Sequence, residues 1–287
     1  MLKFSCADYT FPVLQRSAAL RLIKLLGVNY VDIGLFARSD HFSPAELQAS
    51  PKQYTAQIKD ELNAAELLVS DVFLQIGVSP PESAANDPSA NVREANREAL
   101  TCALEFCVAL GCDHLTGLPG VFHAEASRER DWELATAEAA RRVRECAAAG
   151  VHYAIEPHVD STCLDVASAR AFLDAATGLT LALDYGHFIA AGESSETVHH
   201  LLPFASHIHV RGGADGRLQT SVDENAIDFP GMLAGLHGLG YKGFLALEYV
   251  WVDWKGCNRV DNVSETLLLR RALEAAAFQL TGKDNHV

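Results

Sequence analysis

Eight apolar runs of strand length alternate with eight segments of helical periodicity along the 287 residues of this chain. Strict alternation of strands and helices predicts a parallel sheet, because each helix carries the chain back to the start of the next strand. Eight such units are the number that closes a parallel sheet into a barrel. We therefore predict an α/β fold, a single (β/α)8 TIM barrel, with one domain over residues 1–287.

The apolar runs predict strands at 2–6, 30–35, 69–78, 114–118, 153–158, 179–184, 207–210 and 244–250. Apolar residues spaced three and four apart predict helices at 11–26, 44–67, 91–110, 131–149, 165–176, 193–202, 226–239 and 262–280. A doubly wound open sheet is the alternative, but it usually carries glycines after its first strand, and none occurs between Ala7 and Pro12. Two long loops, 79–90 and 120–130, follow strands and are either solvated excursions or a lid over a pocket.

The chain is acidic, with 37 Asp and Glu residues against 23 Lys and Arg and a formal net charge of -14. This charge argues against a surface that binds nucleic-acid phosphates or an anionic membrane. The seven cysteines are odd in number and lack a C-x-x-C pair, which is typical of core thiols in a reducing cytoplasm. No segment approaches an uninterrupted apolar span of about 18 residues. We therefore predict a cytoplasmic protein that is neither exported nor embedded in a membrane.

Three of the apolar runs end in a carboxylate, at Glu156, Asp184 and Glu248. His207 and His209 lie on the run between the last two, and alternation puts both histidines on one face of their strand. In a barrel of this kind the carboxyl ends of the strands form one rim, where active sites lie. We therefore expect four side chains from consecutive strands to converge on the inner face of that rim: Glu156, Asp184, His209 and Glu248.

Such a cluster would be repulsive and poorly solvated without a cation among its acids. Carboxylates with one imidazole form a hard ligand set that suits Mn²⁺, Mg²⁺ or Co²⁺, and zinc also binds such sets. We predict one divalent metal ion, with Mn²⁺ first. A metal between two carboxylates polarises a carbonyl and the adjacent hydroxyl, so that one acid can remove a proton from carbon and the other, or the same one, can return it elsewhere. This chemistry is isomerisation or epimerisation of a sugar through a metal-bound enediolate.

Three further histidines accompany the cluster. His207 lies one layer deeper than His209, so we expect it to pack beside the ligands rather than bind the metal. His158 shares a strand face with Glu156 and either contacts the substrate or makes a structural hydrogen bond. His187, in the turn after the strand that ends at Asp184, is a candidate ligand of the substrate or of the metal.

Four segments of the second half resemble one family: IEPH at 155–158, LDYGH at 183–187, HIHVR at 207–211 and GYKGFLALE at 240–248. The chain resembles the xylose-isomerase-like TIM-barrel superfamily of sugar phosphate isomerases and epimerases, and it is similar to the ketose 3-epimerases among them. The resemblance implies a divalent metal bound by four residues: Glu156, Asp184, His209 and Glu248. It also implies that Glu156 and Glu248 form the acid/base pair and that His187 contacts a carbohydrate substrate. Members of the family often form homo-oligomers.

The chain departs from the epimerase pattern at one position. The epimerases carry a substrate-binding arginine six residues after the metal-binding histidine, where this chain has Asp215. Arg211 and Arg217 are the arginines available nearby. Arg211 shares the interior face of His209 and is the first candidate to hold a substrate hydroxyl, carboxylate or phosphate.

Three other functions remain open to such a chain. The same superfamily contains metal-dependent lyases, dehydratases and decarboxylases that act on oxidised sugar acids. An endonuclease IV-like nuclease needs a trinuclear zinc cluster with more histidines, whereas the first half of this chain offers His41, His114 and His123. A non-catalytic sugar-binding barrel is the third alternative.

Overall fold

The computed structural model describes residues 2–282, so both ends of the domain predicted over 1–287 lie outside the described residues. The strands are β1 (Phe4–Ala7), β2 (Tyr30–Phe36), β3 (Leu68–Gln75), β4 (His114–Gly117), β5 (His152–Ile155), β6 (Thr180–Asp184), β7 (Ala205–Val210), β8 (Gly212–Ala214), β9 (Arg217–Thr220) and β10 (Leu245–Leu247). The helices are α1 (Arg16–Leu25), α2 (Pro44–Ala49), α3 (Pro51–Ala65), α4 (Ala90–Leu110), α5 (Arg128–Ala148), α6 (Val166–Ala175), α7 (Tyr185–Ala190), α8 (Ser195–His199), α9 (Phe229–Gly238) and α10 (Asn262–Thr281).

Eight of these strands close into a barrel in the order β1-β10-β7-β6-β5-β4-β3-β2. Each strand pairs in parallel with both of its neighbours. The predicted (β/α)8 barrel is therefore confirmed. Strands β8 and β9 form a separate antiparallel hairpin that follows β7 and was not predicted.

The number of helices differs from the prediction at two places. The helix predicted over 44–67 is two helices, because Pro51 begins α3 directly after Ser50 ends α2. Proline has no N–H to donate, and its ring collides with the turn before it. The short helix α7 begins directly after β6, and no helix was predicted there.

The two long loops after β3 and β4 are joined by a pair of hydrogen bonds. The Asn86 Nδ2 donates to the carbonyl of Val121 at 2.7 Å, and the Val121 N–H donates to Asn86 Oδ1 at 3.0 Å. Asn86 is fully buried, so the contact fastens one loop against the other. That these loops form a lid stays a prediction.

The two faces of the barrel strands carry different side chains. Aliphatic residues such as Ile33, Leu183 and Ile208 are fully buried in the core shared with the surrounding helices. The inner face is polar below the rim, where two acids and two histidines form what we call the lower layer: Asp32, Asp71, His114 and His207. Asp32 and Asp71 are register partners on β2 and β3.

Two sequence features, the cysteines and the lack of long apolar segments, can be compared with the structure. All seven cysteines lie within the described residues and are free thiols. Across residues 2–282, no helix has both the length and the apolar character that a membrane crossing requires.

Candidate active site at the carboxyl end of the barrel

The structure brings the four predicted metal ligands to one buried rim. Glu156 directly follows β5, Asp184 ends β6, His209 lies in β7 and Glu248 directly follows β10. Asp184 and His209 are register partners, so their side chains start from the same height in the barrel. All four side chains are buried. With Arg211, they form what we call the rim cluster.

His209 faces both glutamates with the same ring nitrogen. Its Nδ1 lies 2.6 Å from Glu156 Oε1 and 3.7 Å from Glu248 Oε2. Burial alone would lower the pKa of His209, but Glu248 and Glu156 outweigh that effect and raise it well above its ordinary value. Without another cation, this imidazole therefore shares in neutralising the acids.

Asp184 is paired with Arg211. The Arg211 Nη2 donates to Asp184 Oδ2 and also lies 3.7 Å from Glu248 Oε2. The other oxygen of Asp184 accepts the Gly186 N–H at 2.7 Å, which caps the start of α7. Burial opposes the charge of Arg211, but Asp184 and Glu248 raise the pKa of its guanidinium, so the arginine stays charged.

Gly186 packs closely against the ion pair of Asp184 and Arg211. A Cβ atom at position 186 would lie 3.0 Å from Asp184 Oδ1 and 3.3 Å from Arg211 Nε. Because both neighbours are held in an ion pair, neither can yield easily. A side chain at this position would therefore push Asp184 and Arg211 apart.

Glu248 has the least satisfied carboxylate of the rim cluster. Its Oε2 is buried and finds no hydrogen-bond partner within the described part of the chain. Burial raises the pKa of this carboxyl to about 7, although His209 and Arg211 oppose the shift. An acid in this state changes its protonation near neutral pH.

The rim cluster could hold a metal ion in two overlapping ways. The ligand atoms of Glu156, His209 and Glu248 all lie within 4.8 Å of one another, and so do those of Glu156, Asp184 and His187. Glu156 belongs to both groups. The predicted four residues do not form one group by themselves, because Asp184 is turned toward Arg211.

His158 and His187 lie beside each other near the rim, and both have a lowered pKa. The His158 ring centre is 6.0 Å from that of His187, and the half-exposed Trp254 lies 6.3 Å from His187 on its other side. Burial lowers the pKa of His158 and lowers that of His187 well below its ordinary value, where Arg211 adds to the effect. Both imidazoles are therefore neutral at physiological pH.

Two of the predicted site residues lie away from the rim. Arg217, on β9, is half-exposed and pairs with Glu224 at 3.0 Å. His207 lies below the rim, with its Nε2 2.6 Å from Asp32 Oδ2. Asp215, which stands where the epimerases have an arginine, is exposed at the turn of the β8–β9 hairpin.

Two residues near the rim cluster were missed from the sequence. Tyr9 has a buried hydroxyl with no hydrogen-bond partner among residues 2–282, and besides burial the charges of Glu248 and Asp32 raise the pKa of the phenol well above its usual range. Asp32 lies 3.8 Å from His209. An aspartate in the middle of the apolar run of β2 was a signal that could have found Asp32, whereas nothing local distinguishes Tyr9.

The histidines of the first half have partners of their own. His41 pairs with Asp8 at 2.7 Å, and His114 pairs with Asp71 at 2.6 Å. His123 pairs with an aspartate of α5 at 2.9 Å. Over the described residues, none of the three belongs to a metal-holding group with the rim cluster.

The fold and this rim together define an α/β barrel with a buried cluster of acids and a histidine at the carboxyl ends of its strands. A family model described as "Xylose isomerase-like TIM barrel" matches residues 20–273, and the chain belongs to that family. The family resemblance drawn from the sequence motifs is thereby confirmed. No curated protein matches the chain by sequence.

Solved structures of several enzymes share the fold. An L-ribulose 3-epimerase superposes with a TM-score of 0.74 at 15% identity, covering 100% of both chains. An AP endonuclease of family 2 from Brucella melitensis gives 0.73 at 18% identity, covering 94% of this chain and 99% of that one. A probable 3-DHS dehydratase from Bacillus anthracis gives 0.68 at 12% identity, again over 94% and 99%. At these identities the likeness extends to the fold alone.

Proposed function

We propose that this protein is a divalent-metal-dependent isomerase or epimerase of a sugar or sugar derivative, in which Glu156 and Glu248 transfer a substrate proton. The observation that carries the proposal is the buried group of Glu156, His209 and Glu248, whose ligand atoms lie within 4.8 Å of one another. The family match and the fold shared with ketose epimerases support the same class of reaction.

The donor set of the rim cluster fits a divalent cation. A buried carboxylate oxygen without a hydrogen-bond donor, such as Glu248 Oε2 among the described residues, is stabilised by a positive charge beside it. Glu156, His209 and Glu248 would hold the ion, with Asp184 adding an oxygen from the neighbouring strand. Hard oxygens with one imidazole favour Mn²⁺, with Mg²⁺, Co²⁺ and Zn²⁺ as alternatives.

The charges of the rim support this fit. Three carboxylates meet there, and Arg211 balances one of them through its pair with Asp184. Two negative charges are then left for a divalent ion to balance, and His209 would release its Nδ1 proton when it binds the ion. When bound, the ion would polarise a substrate carbonyl and the adjacent hydroxyl.

The two glutamates carry the proton in this proposal. Both lie on the Nδ1 side of His209, at 2.6 Å for Glu156 and 3.7 Å for Glu248. One glutamate removes the proton from the carbon beside the substrate carbonyl, and the other returns a proton to that carbon or to its neighbour. A pKa of about 7 suits Glu248 to take and give a proton near neutral pH.

In this proposal His158 accepts a hydrogen bond from a substrate hydroxyl. Its Nδ1 lies 2.6 Å from the carbonyl of Val159, which assigns the ring proton to that nitrogen. The Nε2 is then an acceptor, and it is buried without a partner in the described chain. His187 and Arg211 complete the proposed substrate contacts on this side, while contact through Arg217 stays a prediction.

The decisive experiment follows solvent deuterium into candidate ketoses during turnover in D₂O. We expect the wild type to place deuterium on carbon and Glu156→Gln to lose about 10²- to 10⁴-fold in rate, the range of general acid–base catalysis. Glu105→Gln, on the exposed face of α4, is the matched control and should behave as wild type. Turnover of a ketose without any deuterium on carbon would contradict the proton-transfer mechanism.

A second candidate function is a lyase, dehydratase or decarboxylase that acts on an oxidised sugar acid. The observation that favours it is Arg211, a buried and charged guanidinium within the rim, because guanidinium groups bind carboxylates in bidentate fashion. Assays with neutral ketoses and with the corresponding keto acids separate the two. Loss of water or carbon dioxide from a keto acid, with no turnover of neutral ketoses, would favour the second candidate.

We further propose that the protein acts on small carbohydrates in the cytoplasm, without nucleic-acid or membrane partners. The net charge of -14 supports the first exclusion, because a nuclease surface must attract phosphates. Formation of a homo-oligomer, which the resemblance implies, stays a prediction.

A further inference from the structure

The two ring nitrogens of His209 face different surroundings. Nδ1 points into the rim cluster, 2.6 Å from Glu156 Oε1. Nε2 is buried on the opposite side of the ring and makes no hydrogen bond with any residue of 2–282. Asp32 Oδ2 lies 3.8 Å from this nitrogen. The ring therefore turns one nitrogen toward the proposed metal ligands and the other toward the lower layer.

Asp32 is held firmly in its place opposite Nε2. It is fully buried on β2, and both of its oxygens have partners. The Ser70 hydroxyl donates to Oδ1 at 2.5 Å, and His207 Nε2 lies 2.6 Å from Oδ2. The ring of Phe73, 5.9 Å from that of His209, packs beside the imidazole. Neither the carboxylate nor the ring can move far without breaking these contacts.

The partners of Asp32 suit a carboxylate rather than a neutral carboxyl group. A hydroxyl donates to one oxygen, and an imidazole nitrogen lies within hydrogen-bond distance of the other, so each oxygen has a possible donor beside it. A charged carboxylate inside the barrel attracts an N–H bond that points toward it. At 3.8 Å the contact with His209 is electrostatic rather than a hydrogen bond.

We propose that Asp32 is a positioning residue for the metal site: it favours the proton of His209 on Nε2 and so leaves Nδ1 unprotonated for the divalent ion. A neutral imidazole carries one proton, and the nitrogen that binds a metal must be the bare one. Carboxylates commonly fix metal-binding histidines in this way. The inference rests on the metal site of the proposed function. It gives a role at that site to β2, a strand that holds no proposed metal ligand.

Two other roles for Asp32 give different results. Asp32 could serve only as the partner of His207, in which case its charge would not matter to metal binding. Alternatively, Asp32 could itself bind an ion, because its ligand atoms and those of Asp71, His207 and His209 lie within 4.8 Å of one another. The second role would give the protein a second ion.

The test compares Asp32→Asn with Asp71→Asn, using Zn²⁺ alone as the probe and chelator competition to measure affinity. Asn keeps the shape of the side chain and removes its charge. Asp71 is the matched control, because it is the register partner of Asp32 and pairs with a histidine in the same layer. We expect Asp32→Asn to weaken Zn²⁺ binding by about 10- to 100-fold and Asp71→Asn by less than about threefold.

The other outcomes are equally informative. Equal losses of affinity in the two variants, at equal thermal stability of the metal-free forms, would overturn the positioning role. Two Zn²⁺ ions bound per wild-type chain would overturn it as well, because Asp32 would then be a ligand. If the wild type binds no divalent ion, the proposed function fails first, and that result is distinct from a failure of Asp32 alone.

A second measurement needs no variant, so it holds even if Asp32→Asn does not fold. Nitrogen-15 NMR of the histidine rings in the Zn²⁺-loaded wild type reports which nitrogen carries the proton and which binds the metal. We expect His209 to be protonated at Nε2 and bound through Nδ1. Binding through Nε2 would overturn the inference.

Discussion

The rim cluster and the lower layer lie one above the other inside the same barrel, yet their charges are arranged differently. In the lower layer each acid has an imidazole of its own, with His207 2.6 Å from Asp32 and His114 2.6 Å from Asp71. In the rim cluster three acids share one histidine and one arginine. Glu248 Oε2 and Asp71 Oδ2 both lack a hydrogen-bond partner among the described residues, so the two layers differ in their ratio of acids to basic groups.

This difference separates stability from function along the barrel axis. Matched buried pairs add to the stability of a fold once they are formed, and they are costly to break. A cluster with surplus negative charge lowers stability until a ligand balances it, which is a common property of active sites. We therefore expect substitutions in the lower layer to act mainly on folding and those in the rim cluster mainly on ligand binding.

The largest loss of stability is expected from His114→Ala. The substitution leaves Asp71 buried without its partner, so we expect the free energy of unfolding to fall by about 3–5 kcal/mol. Urea unfolding of the metal-free protein measures the change. Divalent-metal stoichiometry should stay as in the wild type, and a loss of metal without a loss of stability would mean that the two layers are not separate.

The second effect is that of His209→Ala on metal binding. The substitution removes the one imidazole of the proposed ligand group, so affinity should fall by at least about 100-fold, or about 2.7 kcal/mol. Elemental analysis after dialysis against a weak chelator gives the occupancy. His200→Ala, on the exposed side of the chain near α8, is the control and should retain the ion. Equal occupancy in the two variants would refute the ligand assignment.

The smallest effect has the opposite sign. Glu248→Gln should stabilise the metal-free protein by about 1–3 kcal/mol at pH 8, because burial disfavours the charged carboxylate that the substitution removes. The folded pKa of about 7 lies above the ordinary value near 4.5, so this carboxyl costs stability as pH rises between those values.

The gain from Glu248→Gln should therefore be full above pH 7 and vanish below about pH 4.5. Thermal unfolding across this pH range checks the sign, with Glu105→Gln as the exposed control. A loss of stability at pH 8 would show that Glu248 is already balanced by its neighbours without a metal.

Local patterns were enough to predict the barrel and the four proposed ligands. Apolar runs and helical spacing are properties of neighbouring residues, and alternation along a strand places Glu156, Asp184 and Glu248 at strand ends. The boundaries were less certain, because the break at Pro51 and the β8–β9 hairpin depend on single turns. Alternation along the strand also favoured Arg211 over Arg217, because it placed Arg211 on the same interior face as His209.

Contacts across the barrel could not be read from the sequence. The pairing of Arg211 with Asp184, the approach of Asp32 to His209 and the buried Tyr9 hydroxyl all join residues on different strands. Their distances depend on how eight twisted strands close and on which side chains fill the interior. Periodicity determined which residues face inward, whereas only closure of the barrel decided which of them touch, because those contacts are set by packing between distant segments.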